Sequence, residues 1–341
     1  MIGGGLTGLV AATHLKAQGL NVTVLDKGRG LGGRLATRRL THPQGGEIQL
    51  DYGVFCLTPK GNLFQSWLED WRKQGLVAVT GNSPEELEYY SPQGIRSITR
   101  YLGSQLEVQT QTKVVSLKAH AQGWTVEAED GTADNALNVL VTAPLPQSLQ
   151  LLEQCQLLTV DTPCLEQLKA VSYCSCLTVL ALVSAPIALG GKCYRQVNGT
   201  PLHQIITNNS HTASSPQVHA VTLQGSAEWS QQFVEPQARE RGAQALMSAA
   251  KEYLGEANIL DYQVHFWRYS TPQSRFDALF FPLNRIEPHK TPSLYLAGDG
   301  FSSGDTSLSN AENAFLSGLA VAEAISESTL AKNEDERDSN W

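Results

Sequence analysis

Gly3-Gly4-Gly5-Leu6-Thr7-Gly8 runs into Leu9-Val10-Ala11-Ala12, and Asp26 follows Gly8 by eighteen positions. Leu9 to Lys16 carry a helical pattern that ends at Gly19, and Val22-Thr23-Val24-Leu25 reads as a short buried strand that stops at Asp26. A glycine turn that opens a helix, followed by a strand ending in an acid, is the spacing of a dinucleotide-binding unit. Gly3 permits the tight turn, Gly5 lets backbone approach a pyrophosphate, and Gly8 lets the helix pack close to the sheet. The helix N-terminus offers free N–H groups and a partial positive charge to phosphates, and Asp26 is placed to accept from a ribose hydroxyl. Only Met1 and Ile2 precede Gly3, where a first strand takes about five residues. The sequence therefore predicts a stunted central strand, and a native chain that starts upstream with a short apolar segment.

Directly after Asp26, the stretch from Lys27 to Arg39 holds four glycines before Arg34. Lys27, Arg29, Gly33 and Arg34 suit a loop that holds a polyanion, with glycines clearing space and cations pairing phosphate oxygens; Arg38 and Arg39 are divided between that role and a plain surface one. Asp51 to Cys56 is extended, and Asn62 to Gln74 reads as a helix with Leu63, Phe64, Trp67, Leu68 and Trp71 on one buried face. Gly94 to Leu102 reads as a helix, and four strands over 106–111, 114–120, 124–129 and 136–142 suggest a β-meander. From Pro144 to Leu283 the strands lengthen, a helix covers 237–254, and Asn208–Pro216 breaks the pattern as a turn-rich loop. A buried strand from Ser293 ends in Gly298-Asp299-Gly300, a helix follows over 309–324, and the polar tail is expected to be loose.

With 341 residues the chain is long enough for about two domains. Lys+Arg 25 against Asp+Glu 33 gives a net charge of −8 without a long basic run, which argues against nucleic acid and anionic membrane as partners. No apolar run reaches the roughly 20 residues of a membrane span, so a soluble, cytoplasmic protein is expected. The six cysteines (Cys56, Cys155, Cys164, Cys174, Cys176 and Cys193) show no metal-ligand spacing and read as reduced core thiols, so no metal site is expected.

The order of these parts resembles FAD enzymes of the glutathione-reductase fold, in particular flavin amine oxidases and their renalase-like branch. The matching segments are Asp26 to Thr37, Asp51 to Phe55, Phe266-Trp267-Arg268-Tyr269-Ser270 and Ala297-Gly298-Asp299-Gly300-Phe301. The resemblance implies an α/β fold: a Rossmann-like FAD domain with a β-meander, from 1–56, 93–147 and 285–328, and a mixed α+β substrate domain from 57–92 and 148–284. A loose tail over 329–341 completes the expected organisation.

It also implies that Gly3, Gly5, Thr7 and Gly8 hold the pyrophosphate of FAD and that Asp26 holds the adenosine ribose. Arg34 would reach the phosphate or ribityl region, Val114 would meet adenine through its backbone, and Gly298-Asp299 would bind the ribityl or phosphate. Val54, Phe55 and Cys56 would pass the isoalloxazine, where relatives carry a more usual Asp-x-Gly-Ala-Gln-Tyr, and Ala311 would lie near the flavin O2 at a helix N-terminus. No Cys lies beyond Cys193, so the FAD is expected to be non-covalent.

By the same resemblance the substrate is a dihydronicotinamide isomer of NAD(P)H that gives hydride to the flavin, with dioxygen as acceptor. Trp267, Arg268 and Tyr269 are the substrate-side candidates, since an aromatic covers a planar ring and an Arg pairs a phosphate or carboxamide. Two other readings stay open. One is an amine oxidase, which commonly uses a Lys near the flavin, with Lys251 and Lys290 as weak candidates; the other is a non-catalytic nucleotide-binding protein.

Overall fold

A computed structural model describes residues 1–42, 46–81, 83, 86–158, 160–190, 192–197, 199–207, 217–283 and 293–338, with side chains as far as Thr329. The expected loop Asn208–Pro216 and Lys290 lie outside the described residues. The chain opens with α1 (Leu6–Ala17), β1 (Thr23–Asp26), β2 (Thr37–His42), β3 (Gly46–Asp51), α2 (Asn62–Lys73), β4 (Ala78–Thr80), β5 (Glu88–Tyr90) and α3 (Arg96–Gly103). Next come β6 (Glu107–Thr110), β7 (Val114–His120), β8 (Gly123–Ala128), β9 (Ala133–Ala136), β10 (Asn138–Val141), α4 (Leu145–Gln154) and α5 (Thr162–Lys169). The last stretch holds β11 (Tyr173–Val183), β12 (Tyr194–Gln196), β13 (Leu202–Thr207), β14 (His219–Gly225), α6 (Ala227–Ser230), α7 (Arg239–Leu254), β15 (Ile259–Pro272), β16 (Phe276–Pro282), β17 (Ser293–Ser302) and α8 (Asn310–Asp338).

Two sheets organise these elements. In the first, β6 lies parallel to β1, β10 lies parallel to β17, and β16 runs antiparallel to β17. The stub Met1 to Gly3 joins the two halves: Ile2 N–H donates to Leu140 O and Gly3 N–H to Leu25 O, while Leu25 and Thr142 N–H donate back to Met1 O and Ile2 O, all at 2.8–2.9 Å. Its neighbours β1 and β10 are four residues each, so a stunted middle strand meets short partners. α1 and α8 pack together over this sheet, where Leu15, Leu140, Tyr295, Val321 and Ile325 form a buried cluster.

The second sheet has the order β12-β13-β14-β11-β15. Its strand β11 is buried from Ser175 to Val183, because α7 covers one face through Val179, Ala181 and Val183 and the β2–β3 hairpin covers the other through Leu180 and Leu182. A strand covered on both faces needs an apolar run rather than alternation, and the run Leu177 to Val183 meets that need.

Several elements differ from the expectation. The meander has three strands, β7-β8-β9. The strand expected over 106–111 is β6, a parallel partner of β1, and the one over 136–142 divides into the end of β9 and β10, a parallel partner of β17. Apolar periodicity marks a strand but does not choose its partner. The last helix, expected to end at Ala324, continues to Asp338. On α2, Phe64, Leu68 and Trp71 face the core, whereas Leu63 is 50% exposed. β16, within the segment assigned to the substrate domain, pairs with β17 in the first sheet.

Candidate functional site

The glycine turn has the geometry its spacing predicts. Gly3 has φ +113°, and a Cβ there would lie 2.6 Å from Thr142 Oγ1. At Gly8 a Cβ would lie 2.1 Å from Gly3 O, so α1 could not sit where it does with any side chain at that position. Gly5 differs, because a Cβ there would meet nothing within 4 Å. It borders open space at the head of α1, whose N-terminus carries no side-chain cap. Uncapped N–H groups beside open space form an anion cradle. Thr7 is buried and its hydroxyl donates to Ala314 O at 2.8 Å, so only its backbone N–H is left to face a ligand.

Asp26 closes the cradle at the end of β1, with Oδ2 accepting from Gly4 N–H at 2.6 Å and Oδ1 from Gly28 N–H at 2.7 Å. Thr112 N–H donates to Asp26 O, which brings Val114, the first residue of β7, close to the acid. Gly33 lies against Gly5, whose Cα is 3.5 Å from a Cβ built at Gly33. The cations of the loop do not act together: Lys27 is exposed and donates to Gln147, and Arg29 is exposed. The loop is held instead by Arg96 of α3, whose Nε donates to Leu31 O at 3.1 Å and whose guanidinium occupies the space beside Gly30. Sequence reading missed Arg96, which stands sixty-two positions from Arg34 and has no local signal.

Arg34 and Asp299, read separately as FAD ligands, meet each other. The guanidinium and the carboxylate form a bidentate pair at 2.5 and 2.7 Å, and Asp299 is only 3% exposed. Arg34 also donates to Ser270 O at 3.1 Å, and the Tyr173 hydroxyl donates to Asp299 at 3.3 Å. Burial disfavours the charge on Arg34, but Asp299 outweighs it and holds the guanidinium pKa above its ordinary value. Burial first, and then the charge on Asp299, pushes the Tyr173 phenol up. Gly298 N–H is fixed by Ser317 Oγ of α8 at 2.8 Å.

Across the chain from Arg34, Val54 N–H donates to Arg34 O at 2.9 Å, and a Cβ at Gly53 would lie 2.2 Å from that same oxygen and 3.2 Å from the Trp267 ring. Trp267 Nε1 donates to Tyr52 O at 3.0 Å, and its ring stacks on Tyr52 with centroids 5.1 Å apart. His265 meets both rings edge-on, at 4.9 Å from Tyr52 and 4.4 Å from Trp267. Burial, then the charges of Arg38 and Arg239, push the His265 pKa down to about 4, so this imidazole is neutral at pH 7. Arg38 lies over the Tyr52 ring at 5.0 Å, while its neighbour Arg39 is exposed and pairs with Glu47 at 3.4 Å.

The substrate-side trio is split. Trp267 joins Tyr52, and Tyr269 packs edge-on to Tyr173 at 5.7 Å. The side chain of Arg268 is exposed, and its backbone carbonyl accepts from Ser175. Phe55 packs against Tyr194 in a tilted contact at 5.0 Å, and burial, then the charges of Glu88 and Cys193, raise the Cys56 thiol pKa. Ala311 is buried in the first turn of α8. Its neighbour Glu312 accepts from Lys60 and Gly61 N–H at 2.8 and 2.7 Å, capping the start of α2, and the buried Oδ1 of Asn313 has no partner.

A Rossmann-type turn with an acid on the second strand, set against a second sheet that brings aromatic rings to the same region, defines an FAD-dependent oxidoreductase. Residues 1–71 match the NAD(P)-binding Rossmann-like domain, and residues 48–326 match the family of flavin-containing amine oxidoreductases. The chain belongs to that family. It is 26% identical over 323 residues to renalase of Mus musculus, covering 88% of this chain and 92% of that one. Among solved structures it resembles one from Exiguobacterium sp. 255-15 assigned as a protoporphyrinogen oxidase, with TM-score 0.69 and 14% identity over 95% of this chain and 97% of that one. It also resembles a redesigned putrescine oxidase, with TM-score 0.63 and 14% identity over 95% and 97% of the two chains. Membership makes the chain an FAD-dependent enzyme, and the residues fit the group: Gly5 leaves the space, α1 leaves its N–H groups uncapped, and Asp26 stands at the end of β1.

Proposed function

We propose that this oxidoreductase takes hydride from isomeric dihydro forms of NAD(P) and that dioxygen is its acceptor. The observation that favours this reading over an amine substrate is the chemistry around Tyr52 and Trp267. Trp267 is stacked on Tyr52, His265 is neutral, and Arg38 brings a positive charge over the Tyr52 ring. The nearby carboxylates are engaged: Asp51 accepts from the Thr37 hydroxyl and Ile95 N–H, and Glu88 accepts from the Tyr194 hydroxyl. A protonated amine would meet a guanidinium and committed acids, whereas a neutral planar ring with phosphates attached suits aromatic faces and an Arg. Lys251 is exposed on α7, which covers the face of the second sheet away from Tyr52.

FAD, bound non-covalently, supplies a hydride acceptor whose electrons pass to dioxygen to give hydrogen peroxide. The head of α1, with Gly5 and Asp26, would hold its pyrophosphate and ribose, and Arg34 and Asp299 would carry the ribityl and phosphate side as a neutral pair. Val54, Phe55 and Cys56 would cover the ring system and keep water from it. Trp267 would orient the nicotinamide, and Arg268 is dropped from that role because its side chain points to solvent.

Anaerobic mixing of the holoenzyme with 2- or 6-dihydro isomers of NAD(P) should bleach the flavin faster than putrescine or a simple primary amine does. In air each isomer oxidised should yield one hydrogen peroxide. Rapid bleaching by an amine and none by the isomers would reverse the assignment.

A further inference from the structure

Arg275 follows the turn between β15 and β16, far in sequence from the glycine motif. Its Nε donates to Asp299 O at 3.1 Å, and its terminal nitrogen donates to Asn310 Oδ1 in the first turn of α8. One half-buried guanidinium thus ties the end of β17 to the head of the following helix, across the exposed turn Ser303–Ser307.

The charge balance at this place is uneven. Arg34 is neutralised by Asp299, but among the described residues no carboxylate forms an ion pair with Arg275, and the acids of this turn, Asp277 beside Gly304 and Asp305, are exposed. The head of α8 is itself the positive end of a helix dipole, and the acid in its first turn, Glu312, is engaged with Lys60 and Gly61 N–H at the start of α2. A cation held against the positive end of a helix is unfavourable unless an anion joins them. Asn310, Asn313 and Ser317 turn one polar stripe of α8 toward this junction. Ser317 takes Gly298 N–H, Asn310 takes Arg275, and Asn313 keeps a buried carbonyl oxygen without a partner.

We infer that Arg275 is a positioning residue of the flavin site, which locks the head of α8 to Asp299 and supplies the positive charge that favours reduced, anionic flavin over the oxidised form. The inference does not depend on the substrate, but it rests on the placement of the flavin at the head of α8. Arg275→Met removes the charge and both hydrogen bonds while keeping the length. It should weaken FAD binding at least tenfold and weaken the reduced form about tenfold more than the oxidised one. For a two-electron couple that is a midpoint potential about 30 mV more negative. Arg275→Lys should recover part of the potential.

If Arg275→Met fails to fold, Asn310→Ala removes the second anchor alone and should move the potential in the same direction. Melting curves of the apoprotein and dye-equilibrated redox titrations of the holoenzyme read the two effects separately. A lowered melting temperature with an unmoved potential in these variants would overturn the inference and leave Arg275 as a brace for the turn. Ala311→Asp checks the placement, because a carboxylate beside the flavin should lower its potential. If Ala311→Asp moves the potential and Arg275→Met does not, the role of Arg275 fails; if Ala311→Asp leaves it unmoved, the placement fails and takes the inference with it.

Discussion

The head of α1 and the Arg34–Asp299 centre are built by opposite means. Around α1 the working groups are backbone N–H donors, and the side chains matter by their absence: Gly3, Gly5 and Gly8 stand where a Cβ would strain the turn, fill the cradle or strike Gly3 O. Around Asp299 the working groups are side chains from separate segments, with Arg34, Tyr173 and Arg275 meeting that one residue of β17 and Ser270 O accepting from Arg34. The first arrangement is set within one turn of chain. The second exists only once both sheets have docked, so substitutions there should register first as lost stability.

The largest expected effect tests that difference. Arg34→Ala leaves the carboxylate of Asp299, 3% exposed, without its cation, which should cost the apoprotein about 3 to 5 kcal/mol in urea denaturation. Removing both partners should recover part of that loss in a double-mutant cycle. If Arg34→Ala weakens FAD and leaves apoprotein stability intact, the pair is no structural centre and Arg34 is simply a phosphate ligand.

Within the turn, the three glycines should separate by readout. Gly8→Ala forces a methyl to 2.1 Å from Gly3 O and should cost about 3 kcal/mol, with loss of FAD as a consequence. Gly5→Ala meets no protein atom within 4 Å, so the melting temperature should hold within a few degrees while FAD affinity falls tenfold or more. Equal losses of stability in the two variants would show that the space beside Gly5 is not the cradle.

A smaller effect follows from His265. Its folded pKa of about 4 lies below the ordinary 6.5, so the folded state resists a proton that the unfolded chain takes up. Its neutrality costs nothing above pH 6.5, and stability falls as pH drops from 6.5 to 4, by on the order of 1 to 3 kcal/mol. His265→Asn should flatten that part of the acid limb in pH-dependent denaturation. An unchanged slope would place the acid sensitivity elsewhere.

The smallest contrast is between two neighbours. Arg39→Ala breaks a surface pair and should change stability by less than about 0.5 kcal/mol, whereas Arg38→Ala removes a guanidinium from the Tyr52 ring and should cost about 1 kcal/mol. Identical values for the two would mean that the stack over Tyr52 contributes nothing in water.

How much could be read in advance follows the same division. Gly3, Gly8 and Asp26 were legible because their reasons are local: a dihedral, a close approach, an acid at the end of the next strand. The segments that build β6, β10, β11, α2 and α8 were legible as strands or helices, since apolar periodicity survives whatever the element packs against. The β2–β3 hairpin went unread, because a partly polar strand such as Thr37–His42 gives a weak alternation; that omission left Arg38 and Arg39 indistinguishable.

A dinucleotide turn and an acid at the end of the following strand could be read directly from the amino acids, because those features depend on residues within about twenty-five positions of each other. Only the folded chain shows that Arg34 pairs with Asp299, that Trp267 joins Tyr52 while Arg268 is exposed, that Arg96 holds the loop at Leu31, and that Arg275 ties Asp299 to Asn310. A side chain's partner across 236 or 265 positions is chosen by how two sheets dock. Docking minimises buried unpaired charge and exposed apolar surface over the whole molecule, a sum that no local stretch of sequence contains.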